Sequence, residues 1–185
     1  MKREFIKPLV IMTPKSLLRA EFASARSEEL TKGKFEEILG SPEIGSANKT
    51  KRVILCSGKV YYDLLKYRAE KKIDNAAIIR VEQLYPLHEK KLKSMVNAFP
   101  KSAQLIWCQE EPQNMGAWRF LHEKFGKHLF GRWPFAVVSR PESASPATGS
   151  SGAHKIEQQQ LIERAFSKPE ENFGKINNTN EKGKL

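Results

Sequence analysis

Two adjacent carboxylates, Glu110 and Glu111, stand among the amides of Gln109, Gln113 and Asn114 and are bracketed by the indoles of Trp107 and Trp118. Paired carboxylates can serve as general acid and base when their repulsion raises one pKa. Successive residues of an extended segment point to opposite faces, so a hydrogen-bonding or interface role competes with shared work on one substrate. A second candidate is Ser57-Gly58-Lys59, which follows an apolar run and opens a helical pattern. Its N–H groups, the helix dipole and the Lys59 charge suit a phosphate, and a plain structural turn competes. It lacks the spaced glycines and following hydroxyl of a Walker A loop. A third is the hydroxyl-rich stretch 143–150 after Arg140, readable as an anion cradle or as an ordinary loop. No metal site is expected, because His88, His122, His128 and His154 share no short spacing and none pairs with a cysteine at zinc-ligand distance.

The elements that must position these residues alternate. Residues 53–56, 76–81, 103–108 and 135–139 are short apolar runs that read as strands. Between them, Val60, Leu64 and Tyr67, then Leu92, Val96 and Phe99, then Trp118, Leu121 and Phe125, recur at helical spacing, and a last helix covers 154–166. This rhythm predicts an α/β fold, a mainly parallel sheet flanked by helices. In such folds ligands and partner surfaces gather at the carboxyl ends of the strands, which is where residues 107–118 and 57–59 fall. Ahead of this body, residues 9–12 read as a strand between Pro8 and Pro14, followed by a short helix through Ser16, Leu17, Leu18 and Phe22. Residues 24–50 read as a linker with one amphipathic turn at Phe35, Ile38 and Leu39. The organisation expected is therefore 1–23, a strand and helix; 24–50, a linker; 51–166, the main domain; and 167–185, a polar tail without order.

Of 185 residues, 39% are hydrophobic and 29% charged, the composition of a soluble globular chain. No apolar run approaches the roughly 18 residues of a membrane span, and no secretory signal is read at the start, where 9–12 falls short of an apolar core of about 7 residues. The net charge of +11 raises a nucleic-acid reading, but the excess is spread over positions such as Lys66, Arg68, Lys71, Lys72, Lys90, Lys91 and Lys93, spaced like solvated helix faces. No zinc-finger spacing, RNA-binding signature or run of five basic residues is present, so nucleic acid is not expected as a partner, whereas anionic ligands and acidic protein surfaces are favoured. Cys56 and Cys108 both lie in apolar strand-like runs and read as buried reduced thiols of an intracellular protein, with a disulfide as the alternative.

Several runs closely resemble the carboxyl-terminal part of the first component of 2-oxoglutarate dehydrogenase: Lys7-Pro8-Leu9-Val10 with Lys15-Ser16-Leu17-Leu18-Arg19, Ser57-Gly58-Lys59-Val60-Tyr61-Tyr62-Asp63-Leu64, Glu82-Gln83-Leu84-Tyr85-Pro86, and the segment 107–118. The loop from Arg140-Pro141 to Gly149 and Glu157-Gln158-Gln159 match the same family, so the resemblance covers about residues 5–166. It implies a transketolase-type carboxyl-terminal domain, with 1–23 an incomplete end of the domain before it. The family decarboxylates 2-oxoglutarate on thiamine diphosphate and passes the succinyl group to a lipoyl group of the dihydrolipoyl succinyltransferase component. Thiamine diphosphate and Mg²⁺ are implied to be held by earlier domains, since the Gly-Asp-Gly signature with its downstream Asn is absent here.

The resemblance therefore implies no catalytic and no cofactor-binding residue in this chain. It implies a homodimer, upstream catalytic domains supplied on the same or a separate polypeptide, and a cytoplasmic protein, or a mitochondrial matrix one from a eukaryote. A gene product truncated ahead of Met1 is the alternative to a split subunit. Gln109, Glu110, Glu111, Asn114 and Trp118 are expected to hold an interface. Some relatives are similar in carrying an acetyl-coenzyme A or nucleotide effector site on this domain, for which Lys59, Arg19 and Arg119 are the basic candidates, since such side chains pair with phosphates. A non-catalytic regulatory module of that kind is the alternative function.

Overall fold

The computed structural model describes residues 5–8, 10–40 and 47–167, and the chain divides into two compact units, Met1–Phe35 and Glu36–Leu185. Among the described residues of the first unit there is no strand. It holds two 3₁₀ turns, Lys15–Leu17 and Glu21–Ala23, and one short helix, α1 (Ser27–Lys32). Residue 9 lies outside the described residues, and Val10, Ile11 and Met12 are exposed and unpaired by any described strand, so the expected strand is not formed. A strand's N–H and C=O groups need a neighbouring strand, and none is offered among the described residues. The expected helix is reduced to the two 3₁₀ turns because neither has a side-chain cap or a buried face to pack.

The second unit carries the sheet. Its strands are β1 (Ile38–Leu39), β2 (Arg52–Cys56), β3 (Ala76–Val81), β4 (Gln104–Pro112), β5 (His128–Leu129) and β6 (Trp133–Arg140), ordered β1-β3-β2-β4-β6-β5. The β3-β2, β2-β4 and β4-β6 pairs are parallel, while β1 and β5 join antiparallel at the two sides. The helices are α2 (Val60–Glu70), α3 (Glu89–Val96), α4 (Trp118–Phe125) and α5 (Ser151–Phe166). The mainly parallel α/β body expected from the sequence is thus observed.

Period-two alternation divides the strand residues between two cores. Val53, Leu55, Ala77, Ile79, Leu105 and Trp107 face α3 and α4, together with Trp133 and Phe135. Ile54, Cys56, Ile78, Ile106, Cys108 and Val138 face α2 and α5. Because helices cover both faces, the central strands are apolar on both, which is why they appear in sequence as unbroken runs. At the amino edge, buried Arg52 donates from Nη1 to the Ala165 carbonyl at 2.9 Å and from Nη2 to Gln104 Oε1 at 2.7 Å. One guanidinium thereby satisfies an end carbonyl of α5 and ties that helix to the start of β2 and β4.

Two boundaries differ from the sequence expectation, and a third is untested. Residues 24–50 are more than a linker: β1 lies in them, Ile38 is in the core, and the second unit begins at Glu36. The helical spacing of Phe35, Ile38 and Leu39 misleads because a two-residue strand has no period to display. β4 continues past Cys108 to Pro112 through a register shift opposite β6. The polar tail lies outside the described residues from 168 onward.

Leu105, fully buried near the start of β4, and Leu18, 68% exposed in the first unit, make a paired test. Leu105→Ala is expected to cost about 2–5 kcal/mol by urea denaturation of the second unit. Leu18→Ala is expected to change stability by no more than about 0.5 kcal/mol.

Candidate functional site

The carboxyl edge of the sheet collects the candidate residues because β2, β3, β4 and β6 all end there, parallel and in register. After β2 the chain turns on Gly58, whose φ of 73° is a conformation glycine adopts without strain. The turn sets Lys59 at the start of α2, with Nζ 2.8 Å from Glu110 Oε1 and 3.1 Å from Asp63 Oδ2. Partial burial by itself would lower the Lys59 pKa. The hydrogen bonds and charges of Glu110 and Asp63 overcome that and hold it above its ordinary value. The ammonium is thus occupied by two carboxylates of its own chain.

From there polar contacts run on without a gap. Gln158 Nε2 donates to Asp63 Oδ2 at 2.9 Å, and Arg140 Nη2 donates to Gln158 Oε1 at 3.2 Å. Arg140 Nη2 also lies 3.0 Å from His154 Nδ1, which must be the acceptor because a guanidinium only donates. Arg140 Nη1 donates to Thr148 Oγ1 at 3.4 Å, its Nε is 3.6 Å from Glu157 Oε2, and Thr148 donates to Glu157. A cleft of about 280 Å³ lies beside these groups, lined by Arg140, Ser143, Ser145, Thr148 and Glu157. Of the hydroxyls in the loop 143–150, that of Thr148 is committed to the Glu157 carboxylate of α5, which also faces Arg140.

Gln109 organises the opening segment. It is 3% exposed, and its Oε1 accepts from Trp107 Nε1 at 2.9 Å and from the Trp118 backbone N–H at 3.0 Å. Its Nε2 donates to the carbonyls of Met115 at 2.7 Å and Pro112 at 3.0 Å. A Cβ on Gly116, whose φ is 67°, would stand 2.9 Å from that nitrogen, so close approach and backbone conformation both demand glycine. Asn114 then clamps the neighbouring loop in both directions: Nδ2 donates to the Ser143 carbonyl at 2.9 Å and Oδ1 accepts from the Ser143 N–H at 3.1 Å.

Glu110 and Glu111 are divided as strand alternation requires, Glu110 to Lys59 and Glu111 to the exposed side. They do not form a shared acid/base pair. Lys59 and the exposed Arg119 belong to helices on opposite faces of the sheet, and exposed Arg19 belongs to the first unit. The four histidines are dispersed, and among the described residues no three His, Cys, Asp or Glu side chains cluster as a metal would need. Sequence reasoning passed over Arg80, whose guanidinium lies 4.6 Å over the Tyr61 ring and pairs with Glu82 at 2.9 Å. It also passed over the Asp63–Gln158 bridge, for which the only signal was the amides of Gln158 and Gln159 in a helix.

Cys56 and Cys108 face each other across the β2-β4 ladder as free, fully buried thiols, the reduced state expected. Burial pushes both up, Cys108 to about 12, with the Glu110 charge adding to it.

The model of the family described as 2-oxoglutarate dehydrogenase C-terminal matches residues 24–166. The chain is 45% identical over 168 residues to the "2-oxoglutarate dehydrogenase E1 component" of Cupriavidus necator, covering 91% of this chain and 18% of that protein. It is 44% identical over 164 residues to the component of the same name in Rickettsia felis, 86% of this chain and 17% of that protein. With the one from Coxiella burnetii it shares 42% over 166 residues, 89% and 18% respectively. The chain thus spans less than a fifth of the length of the curated relatives it matches. The regulatory-module alternative draws no support from these relatives, all named as the enzyme component.

Gln109→Ala removes the partner of two buried N–H groups and of the Met115 carbonyl, while the Pro112 carbonyl keeps the Met115 N–H, and is expected to cost about 3 kcal/mol in urea denaturation, whereas Glu111→Gln should stay within about 0.5 kcal/mol. An acid whose pKa is raised by folding favours the native state only while the unfolded thiol is still neutral. The contribution of Cys108 is therefore lost as pH climbs from its ordinary value of 9.0 toward about 12. The decline should be steeper than in Cys108→Ala when both are followed by denaturation above about pH 9. In the native state neither thiol should react with iodoacetamide near neutrality, and both should react once unfolded.

Proposed function

Because the chain belongs to the 2-oxoglutarate dehydrogenase C-terminal family, we propose that it acts as the carboxyl-terminal part of a 2-oxoglutarate dehydrogenase first component. In this reading it contributes to decarboxylation of 2-oxoglutarate and succinyl transfer to lipoyl groups by packing against the catalytic domains and shaping the entrance to their site. The observation that carries the reading is the family match over 24–166, which takes in the whole described sheet and the polar edge at its carboxyl end. No helix among the described residues is long and apolar enough to cross a membrane. A place in the cytoplasm, or in the matrix of a mitochondrion, fits the same reading.

Thiamine diphosphate is the cofactor proposed for the assembled enzyme, with Mg²⁺. The described residues of this chain do not fit either group: no metal-ligating cluster occurs among them, and the cations at the carboxyl edge are answered by the chain's own carboxylates. What this chain supplies is a rigid rim. Gln109 holds the turn after β4, Asn114 ties it to the loop after β6, and Lys59 with Glu110 fixes α2 beside them. Such a rim suits an interface with upstream catalytic domains and, in a homodimer, with a second subunit. The dihydrolipoyl succinyltransferase component would be met by the assembled enzyme.

The isolated chain, given thiamine diphosphate, Mg²⁺ and 2-oxoglutarate, is expected to release no CO₂ and to reduce no ferricyanide. Adding a Cupriavidus necator component truncated just before its matching region should restore both. Release of CO₂ by the isolated chain, or no complementation despite a stable complex, would refute the proposal.

A further inference from the structure

We propose that the outer edge of β6 accepts an extended, apolar segment with acidic flanks from a partner chain, which adds to the sheet as a strand. The proposal goes beyond the family reading and rests on the backbone. On its inner side β6 pairs with β4 from Leu105 opposite Phe135 to Cys108 opposite Val138. On its outer side β5 reaches only Trp133 and Pro134, and the last backbone bond there runs from the Phe135 N–H to the Lys127 carbonyl at 2.9 Å. No described strand pairs with that side of residues 136–138. A parallel ladder directs alternate backbone groups to each side, so this stretch presents outward donors and acceptors in search of partners. At Ser139 the chain ends the stretch itself, where Arg164 Nη2 donates to its carbonyl at 2.5 Å.

The surroundings suit a strand better than a compact ligand. A groove of about 470 Å³ wraps this edge, lined by Trp118, Phe135 and Val137 on one face of the sheet and by Ile106, Ala136 and Val138 on the other. An added strand sends successive side chains to opposite faces and would fill both walls. Ala136, Val137 and Val138 include none of the lysines or prolines that protect an exposed edge from pairing. The choice of partner follows from charge. Lys127 and His122, both exposed, line the groove and no Asp or Glu does, in a chain of net charge +11. Pairing of two β6 edges across a two-fold axis would gather two copies of the Lys127 charge with no acid among the groove's lining residues to answer them. A segment with acidic flanks answers them.

The test uses the full chain and a fluorescent synthetic nonapeptide of alternating valine and threonine with aspartate at each end. Saturable binding by anisotropy is expected, with slowed hydrogen exchange at the outward amide of Val137 and unchanged exchange at 136 and 138, whose amides face β4. N-methylation of every second peptide amide should weaken binding about tenfold in one register and little in the other, because only one edge of an added strand pairs. Lys127→Glu, at an exposed position, should weaken the aspartate-flanked peptide and favour a lysine-flanked one by about fivefold each, with circular dichroism unchanged. Absence of protection at the Val137 amide with millimolar peptide would overturn the proposal. So would equal loss from both methylated registers, indifference of Lys127→Glu to peptide charge, or dimerisation of the chain that protects the same amide.

Discussion

The buried carboxamide of Gln109 is the point on which the carboxyl edge depends. Its oxygen accepts from an indole two residues earlier and from the first backbone N–H of α4, while its nitrogen donates to carbonyls of the intervening turn. A turn of this kind exposes several backbone groups that cannot pair with one another, and burial would make each of them costly. One side chain with two donors and two acceptor lone pairs satisfies most of them at once. Two consequences follow. β4 can run beyond its pairing with β2 to Pro112, and α4 can start immediately afterwards with Trp118 already in the core.

Around that point the sheet is held by polar groups at both ends and by apolar packing between them. At the amino edge Arg52 binds the end of α5; at the carboxyl edge Arg140 and Lys59 bind side chains of α5, α2 and β4. Each of these cations is at least partly withdrawn from water and faces oxygens placed by a different element. Burial lowers the Arg52 pKa, whereas the two carboxylates raise that of Lys59, so the carboxyl edge is the end where charge is locally compensated. Local compensation explains why a basic chain does not present Lys59 as a free anion site.

What could be read in the sequence and what could not divides along a physical line. β2, β3 and the first part of β4 were legible because strands covered on both faces appear as apolar runs such as Val53, Ile54 and Leu55. The parting of Glu110 from Glu111 was legible too, since it needs only strand alternation. β1 and β5 were not, because two residues carry no periodicity; β1 moreover depends on a distant partner at Val81, while β5 pairs across a tight turn with Trp133 and Pro134. The strand expected at residues 9–12 had apolar composition but no described strand to pair with. The site network lay beyond reach for a similar reason: Asp63 and Gln158 are 95 positions apart, and nothing local in either residue announces the other.

The two sides of the sheet are finished unequally. Beyond β3 the short β1 closes the ladder, and the Glu37 carbonyl goes on to accept from the N–H groups of Glu82 and Gln83 at 2.8 and 3.0 Å. Lys91 of α3 then binds Glu36 at 2.5 Å and Glu37 at 3.4 Å, so backbone pairing and charge both hold the carboxyl end of that side. Beyond β6 the equally short β5 covers only the beginning of a strand of eight residues. Two residues shield no more than the two opposite them, so the sides differ in which end is covered: β1 lies against the carboxyl end of β3 and β5 against the amino end of β6. At the carboxyl end of the sheet one side is thus covered and the other has no described strand against it, which is where a strand added to β6 would begin.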